Sequence, residues 1–181
     1  MTRTGKFLRF LEETNVLQKG EFLLKDGSKS NKFFNFGNIK NGRDLIELGK
    51  FYSDYIYLKK IYEKIDFIFG PSYKGIPLVV STSCALSFCF GIDVPICYNR
   101  KEEKDHGEKG NFIGYDFTKE PCTCLVLDDV FTSGKTKYEV LDMFSKYPNV
   151  KILGFLVGVN RSKENDFLEK TGIPILYLAS L

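Results

Sequence analysis

Leu125-Val126-Leu127-Asp128-Asp129-Val130-Phe131-Thr132-Ser133-Gly134-Lys135-Thr136 carries an apolar run into two acids, then through small residues into the helical pattern of Lys135 to Phe144. A strand handing over to a helix through a tight loop is the building unit of α/β folds. Ser133-Gly134-Lys135-Thr136 invites comparison with a nucleotide-binding P-loop. That motif needs Gly five residues before Gly134, where this chain has Asp129, so the comparison fails. What the segment does offer is a nest of backbone N–H groups opening a helix, suited to a phosphate monoester. Thr132, Ser133 and Thr136 add hydroxyl donors, and Asp128 and Asp129 are acceptors for ribose hydroxyls or a magnesium-bound water. The plainer reading, that the two acids only cap a helix, leaves the small-residue loop behind them unexplained.

Outward from this segment, apolar strands and helices alternate. Strands are expected at 65–69, 94–98, 124–127, 150–159 and 173–177, and helices at 43–63, 75–90, 135–144 and near 162–171. Apolar strands alternating with helices imply a mostly parallel sheet covered on both faces, with ligands at the carboxyl ends of the strands. Before the alternation come a helix at 5–18 and two short strands, 21–25 and 32–35, around the turn signal Asp26-Gly27-Ser28. The expected organisation is one domain over 1–181, with 1–45 as an N-terminal hood on a 46–181 core.

Composition narrows the class. The chain has 181 residues, 43% hydrophobic and 27% charged, enough for a buried core. A net charge of +3 without a basic tract gives no case for nucleic acid. The N-terminal segment Phe7-Leu8-Arg9-Phe10-Leu11-Glu12-Glu13 reads as an amphipathic helix, not a signal peptide. The longest uncharged stretch, 75–92, contains Pro77 and four Ser/Thr and lies between strands, so a helix on a sheet is expected and no membrane span. Five cysteines without a C-x-x-C pair, beside a single His, offer little for zinc and read as reduced core thiols of a cytoplasmic protein.

Two further loops complete the chemistry. Gly70-Pro71-Ser72-Tyr73-Lys74-Gly75 follows the strand at 65–69; its glycines allow close backbone approach to an anion, and Lys74 adds a point charge. Residues 100–110 hold four basic and four acidic residues and no apolar one. The segment reads as a mobile loop, either a solvated hairpin or a set of cations brought over a site to neutralise a departing anion.

The 125–136 segment resembles the phosphoribosyl-pyrophosphate (PRPP) motif of type I phosphoribosyltransferases. Together with Glu21 to Gly27, Phe33-Phe34-Asn35, Gly42-Arg43-Asp44, 69–75 and 99–108, it resembles the orotate phosphoribosyltransferases in order from about residue 17 to 161. The resemblance implies a type I phosphoribosyltransferase fold and a homodimer whose 100–110 loop reaches the partner's site. It implies Mg²⁺ as cofactor, bound mainly through PRPP and water near Asp128 and Asp129, and it admits orotidine 5′-monophosphate decarboxylase as a partner. It places orotate at Lys25, Phe33, Phe34, Thr132 and Arg161. PRPP falls at Tyr73, Lys74, Arg100, Lys101, Lys104, His106, Asp128, Asp129, Thr132, Ser133, Gly134, Lys135 and Thr136.

The implied reaction is orotate + PRPP giving orotidine 5′-monophosphate and pyrophosphate, with Lys104, Asp129 and His106 as the catalytic candidates. Lys104 is the first choice for stabilising, or protonating, the leaving pyrophosphate, ahead of His106. Three departures stand out: Lys135 replaces a small or hydroxyl residue, Asn160 replaces an acid beside Arg161, and the sequence ends at Leu181 before the helices of bacterial members. The rival readings are a transferase for another nucleobase, which would share 128–136, and a non-catalytic nucleotide-binding regulator, which would have little use for the lysines of the 100–110 loop.

Overall fold

The computed structural model describes residues 2–23, 29–101, 111–162 and 166–181. Helix α1 (Arg3–Glu13) leads to the hairpin β1 (Leu17–Leu23) and β2 (Lys29–Phe34), then α2 (Gly42–Leu58), β3 (Phe67–Gly70) and α3 (Gly75–Phe90). There follow β4 (Ile96–Asn99), β5 (Phe112–Gly114), β6 (Cys122–Phe131), α4 (Lys135–Ser145), β7 (Val150–Asn160), α5 (Asp166–Thr171) and β8 (Ile175–Ser180). The six-stranded sheet has the order β5-β4-β3-β6-β7-β8, parallel except for β5.

Its central strands bury both faces, which is why they read as unbroken apolar runs. Ile68, Leu125, Leu127 and Leu156 pack against α1, α2 and α3. Phe67, Phe69, Val126, Phe155 and Val157 meet Val140 and Phe144 of α4 and Phe167 of α5. From β3 the chain crosses outward to β4 on one side, then returns to β6 on the other. The switch point therefore lies between β3 and β6, where ligands of such sheets sit.

Several expectations shift. The first helix ends at Glu13 and not at 18, because Asn15 turns the chain at φ 54 and Val16 and Leu17 enter the core. Past the expected loop at 100–110, Phe112–Gly114 forms a strand outside the five expected of the alternation and pairs antiparallel with β4. β6 runs on to Phe131, so both acids lie inside the strand, paired to β7 through Asp128↔Val157 and Phe131↔Asn160. Within the 1–45 stretch, the β1–β2 hairpin forms its own sheet, whereas α1 packs Phe7 and Phe10 on Phe51 of α2.

Candidate active site

Successive side chains on a strand point to opposite faces, and the two acids of β6 do so with different fates. Asp128 turns toward α4 and is buried there, its Oδ2 2.6 Å from Lys137 Nζ. Burial pushes its carboxyl above the usual range, and the Lys137 ammonium opposes that shift. Asp129 faces the other way into a cavity of about 510 Å³ lined by Phe36, Lys40, Tyr73, Lys74 and Leu78. Its Oδ2 accepts from Lys74 Nζ at 3.2 Å. The Lys74–Asp129 pair thus spans the switch point between β3 and β6.

The loop after β3 is tightly made. A Cβ on Gly70 would lie 2.3 Å from the Gly75 carbonyl oxygen, so only glycine lets the chain turn back so sharply. Ser72 fastens the loop to the end of β4: its N–H donates to Asn99 Oδ1 at 2.9 Å, and its hydroxyl donates to the Asn99 carbonyl. Tyr73 is left exposed, with Lys101 Nζ 4.6 Å above its ring. After β6, Gly134 at φ 80 lets Thr132 and Ser133 turn into α4, where its carbonyl accepts from the N–H groups of Lys137 and Tyr138. Ser133 and Lys135 stay exposed at the mouth of this turn.

At the far side, Arg161 follows β7 and donates its backbone N–H to the Phe131 carbonyl at 2.9 Å. Its guanidinium donates to Ser30 Oγ at 3.0 Å and lies 5.8 Å over the Phe34 ring, so it ties the hairpin to the sheet. Phe33 does not share that face; it is half-exposed and stacked on Phe22. Lys25, Lys104 and His106 lie outside the described residues. The structure thus brings Tyr73 to Lys101, Lys74 to Asp129 and Phe34 to Arg161 along one edge of the sheet, and turns Asp128 inward.

A larger hollow, about 880 Å³, lies between α1 and α2, away from the strand ends. Three of its five lining cations are met by acids, Arg3 by Asp54, Arg9 by Glu13 and Lys50 by Glu47. The smaller cavity, at the carboxyl ends of the strands, is the candidate site. Among the described residues no group of three or more His, Cys, Asp or Glu could cage a metal ion. One reachable carboxylate beside cations fits a magnesium carried by substrate phosphates and water, which is how Mg²⁺ is usually bound.

Two residues escaped the sequence reading. Lys137 stands three before Val140 and seven before Phe144 on the buried stripe of α4, and that spacing is the signal that could have exposed it. Tyr52 of α2 donates its hydroxyl to the Asp128 carbonyl at 2.8 Å, a carbonyl that β3 does not reach because its last pair to β6 is Phe69↔Val126. Nothing in the sequence marks Tyr52 apart from its neighbours.

Orotate phosphoribosyltransferase from Buchnera aphidicola subsp. Baizongia pistaciae (strain Bp) is 43% identical over 158 residues, covering 87% of this chain and 74% of that protein. The chain belongs to the orotate phosphoribosyltransferase family. A second relative, orotate phosphoribosyltransferase from Pseudomonas fluorescens (strain SBW25), is 39% identical over 187 residues and covers 97% of this chain and 83% of its own. The crystal structure of Francisella tularensis orotate phosphoribosyltransferase superimposes with a TM-score of 0.82 at 34% identity, covering 97% of this chain and 85% of that one. No family model matches the chain. The sheet and helices are those of a type I phosphoribosyltransferase, as expected of the orotate enzymes. No described helix is long and apolar enough to cross a membrane.

Proposed function

We propose that this chain transfers the 5-phosphoribosyl group of PRPP to orotate, releasing pyrophosphate, and that Asp129 and Lys74 face the reacting ribose carbon from opposite sides. The observation that carries this reading is their pairing across the switch point at 3.2 Å, beside the 132–136 turn. The bond from ribose C1 to the pyrophosphate oxygen breaks as a ring nitrogen of orotate bonds to C1 and its proton passes to the departing pyrophosphate; bond breaking leads, so positive charge builds on the ribose and negative charge on the leaving group. Asp129 stabilises the first; Lys74, Lys101, Arg100, Lys104 and His106 stabilise the second. PRPP must first displace Lys74 from Asp129, which frees one charge for each end of the breaking bond. The backbone N–H groups and hydroxyls of 132–136, with Lys135 at their mouth, hold the 5-phosphate. Phe34 and Arg161, with Lys25, hold the orotate ring and its carboxylate. Magnesium, when bound with PRPP, adds charge neutralisation on the pyrophosphate, and Asp129 is the acid able to reach its water shell.

The working unit is a cytoplasmic homodimer with the 100–110 loop shared between subunits. In support, α3 carries an exposed apolar stripe at helical spacing, Pro77, Val80, Cys84 and Phe88, with Phe88 92% exposed. Such a face is rarely left to water. A spectrophotometric assay of orotate loss tests the reaction: absorbance should fall only when both PRPP and Mg²⁺ are present. No loss of orotate with both supplied would refute it.

A further inference from the structure

Among the described residues, Asp128 and Lys137 are the only charged side chains that are buried. Such a pair contributes little net stability, because desolvating both charges costs about what their attraction returns. An apolar residue at 137 would pack α4 on the sheet equally well, so the lysine asks for another reason. Its contacts supply one. Lys137 Nζ donates to Asp128 Oδ2 and to the Val130 carbonyl, each at 2.6 Å. Those groups belong to the residues immediately before and after Asp129. Asp128 Oδ1 in turn accepts the Asp129 N–H at 2.9 Å, and Asp129 Oδ1 accepts the Val130 N–H at 2.7 Å. From the other face of the sheet, Tyr52 holds the Asp128 carbonyl.

We propose that Lys137 is a positioning residue for Asp129: by gripping Asp128 and Val130 it fixes the backbone on both sides of the accessible acid and so sets where that carboxylate meets the ribose end of the substrate. The identity of the substrate rests on the phosphoribosyl-transfer reading above; the bracketing of Asp129 does not. Asp128 then acts through the backbone, as the arm by which Lys137 holds its neighbour.

The test uses Lys137→Met, Asp128→Asn and the double variant, each in the full chain. Lys137→Met should raise the KM for PRPP or lower kcat by about 10–100-fold, the usual effect of losing a group that orients a functional side chain. The KM for orotate should stay within about twofold, since Arg161 and Phe34 are untouched. A merely structural lysine would lower stability and the active fraction while leaving both KM values alone. The double variant should be no worse than Lys137→Met, because the two residues act as one unit. Multiplied losses would overturn the proposal, as would a Lys137→Met enzyme with wild-type PRPP kinetics. A crystal structure of Lys137→Met provides a readout independent of activity: Asp128 and Asp129 should leave their wild-type positions, and unmoved carboxylates would also overturn it. If that variant does not fold, the double variant, which buries no charge, carries the same structural and kinetic comparison with wild type. If the wild type consumes no orotate, the transfer reading fails, and the structures alone still decide the positioning.

Discussion

Replacing Arg161 by lysine should penalise orotate and spare PRPP. The guanidinium uses one N–H on Ser30 Oγ at 3.0 Å and lies over the Phe34 ring, leaving the rest of its fork for a ligand carboxylate. Lysine keeps the charge and can still lie over the ring, but its single ammonium cannot hold Ser30 and two carboxylate oxygens in one plane. The loss is then about one charged hydrogen bond. Arg161 is half-buried, so solvent does not screen that bond away, and it is worth about 1.5–3 kcal/mol. At 1.4 kcal/mol per tenfold, the KM for orotate should rise about 10- to 150-fold. Initial rates with orotate varied at saturating PRPP give this number directly. Uracil, which lacks the carboxylate, serves as the control. Equal shifts for orotate and uracil, or a KM for orotate within about twofold of wild type, would refute the reasoning.

Lys104→Ala should lower kcat by about 10²–10³, the effect of removing one group that stabilises charge in the transition state. Mixed with Asp129→Asn, it should recover about a quarter of wild-type activity once subunit exchange is verified, because half the dimers are hybrids and each has one intact site; hybrids without activity would place Lys104 within its own chain. Gly158→Ala would set a Cβ 2.8 Å from Tyr52 Oη and 3.0 Å from the Asp129 carbonyl. Overpacking of that kind should cost about 1–3 kcal/mol in urea unfolding, together with a drop in kcat; unchanged values for both would show that the site has slack there. Burial pushes the Cys97 thiol up to about 12 and raises Cys122 and Cys124, whereas Cys84 and Cys89 are exposed. Iodoacetamide at about pH 8 should therefore add at most two adducts to the native protein, only one where a partner covers the α3 stripe that includes Cys84, and five to the unfolded chain. A third native adduct counted by mass spectrometry would contradict the burial.

The alternation of strands and helices was readable because each central strand is apolar on both faces, and α3 was read to its ends because glycines bound an uncharged run. β5 was not readable, since Phe112-Ile113-Gly114 becomes a strand only through its partner β4. The acids at 128 and 129 are legible as a pair, but their division is not. Their strand continues past them only because β7 pairs that far, and strand parity then sends one inward and one outward. Phe33 and Phe34 part for the same reason. Lys137 is not legible because a lysine in a helix is ordinarily solvated; its burial depends on a carboxylate brought from β6. The loops at 70–75 and 132–136 were readable from local chemistry alone, but the meeting of Lys74 with Asp129 required the strand order.

Helix α1 also ties together segments that are far apart in time during synthesis. Thr4 donates its hydroxyl to the Leu178 carbonyl, a separation of 174 residues, which at ribosomal rates corresponds to roughly 9–35 s between the emergence of the two partners. Phe51 reaches Phe7 and Phe10 much earlier. A nascent chain can therefore shelter the apolar side of α1 against α2, while the strand that completes the seam arrives much later. The edge of β7 waits a shorter time, the 20 residues from Leu156 to its partner Leu176 or roughly 1–4 s at the same rates, and slow translation of that stretch would lengthen its exposure to the wrong partners.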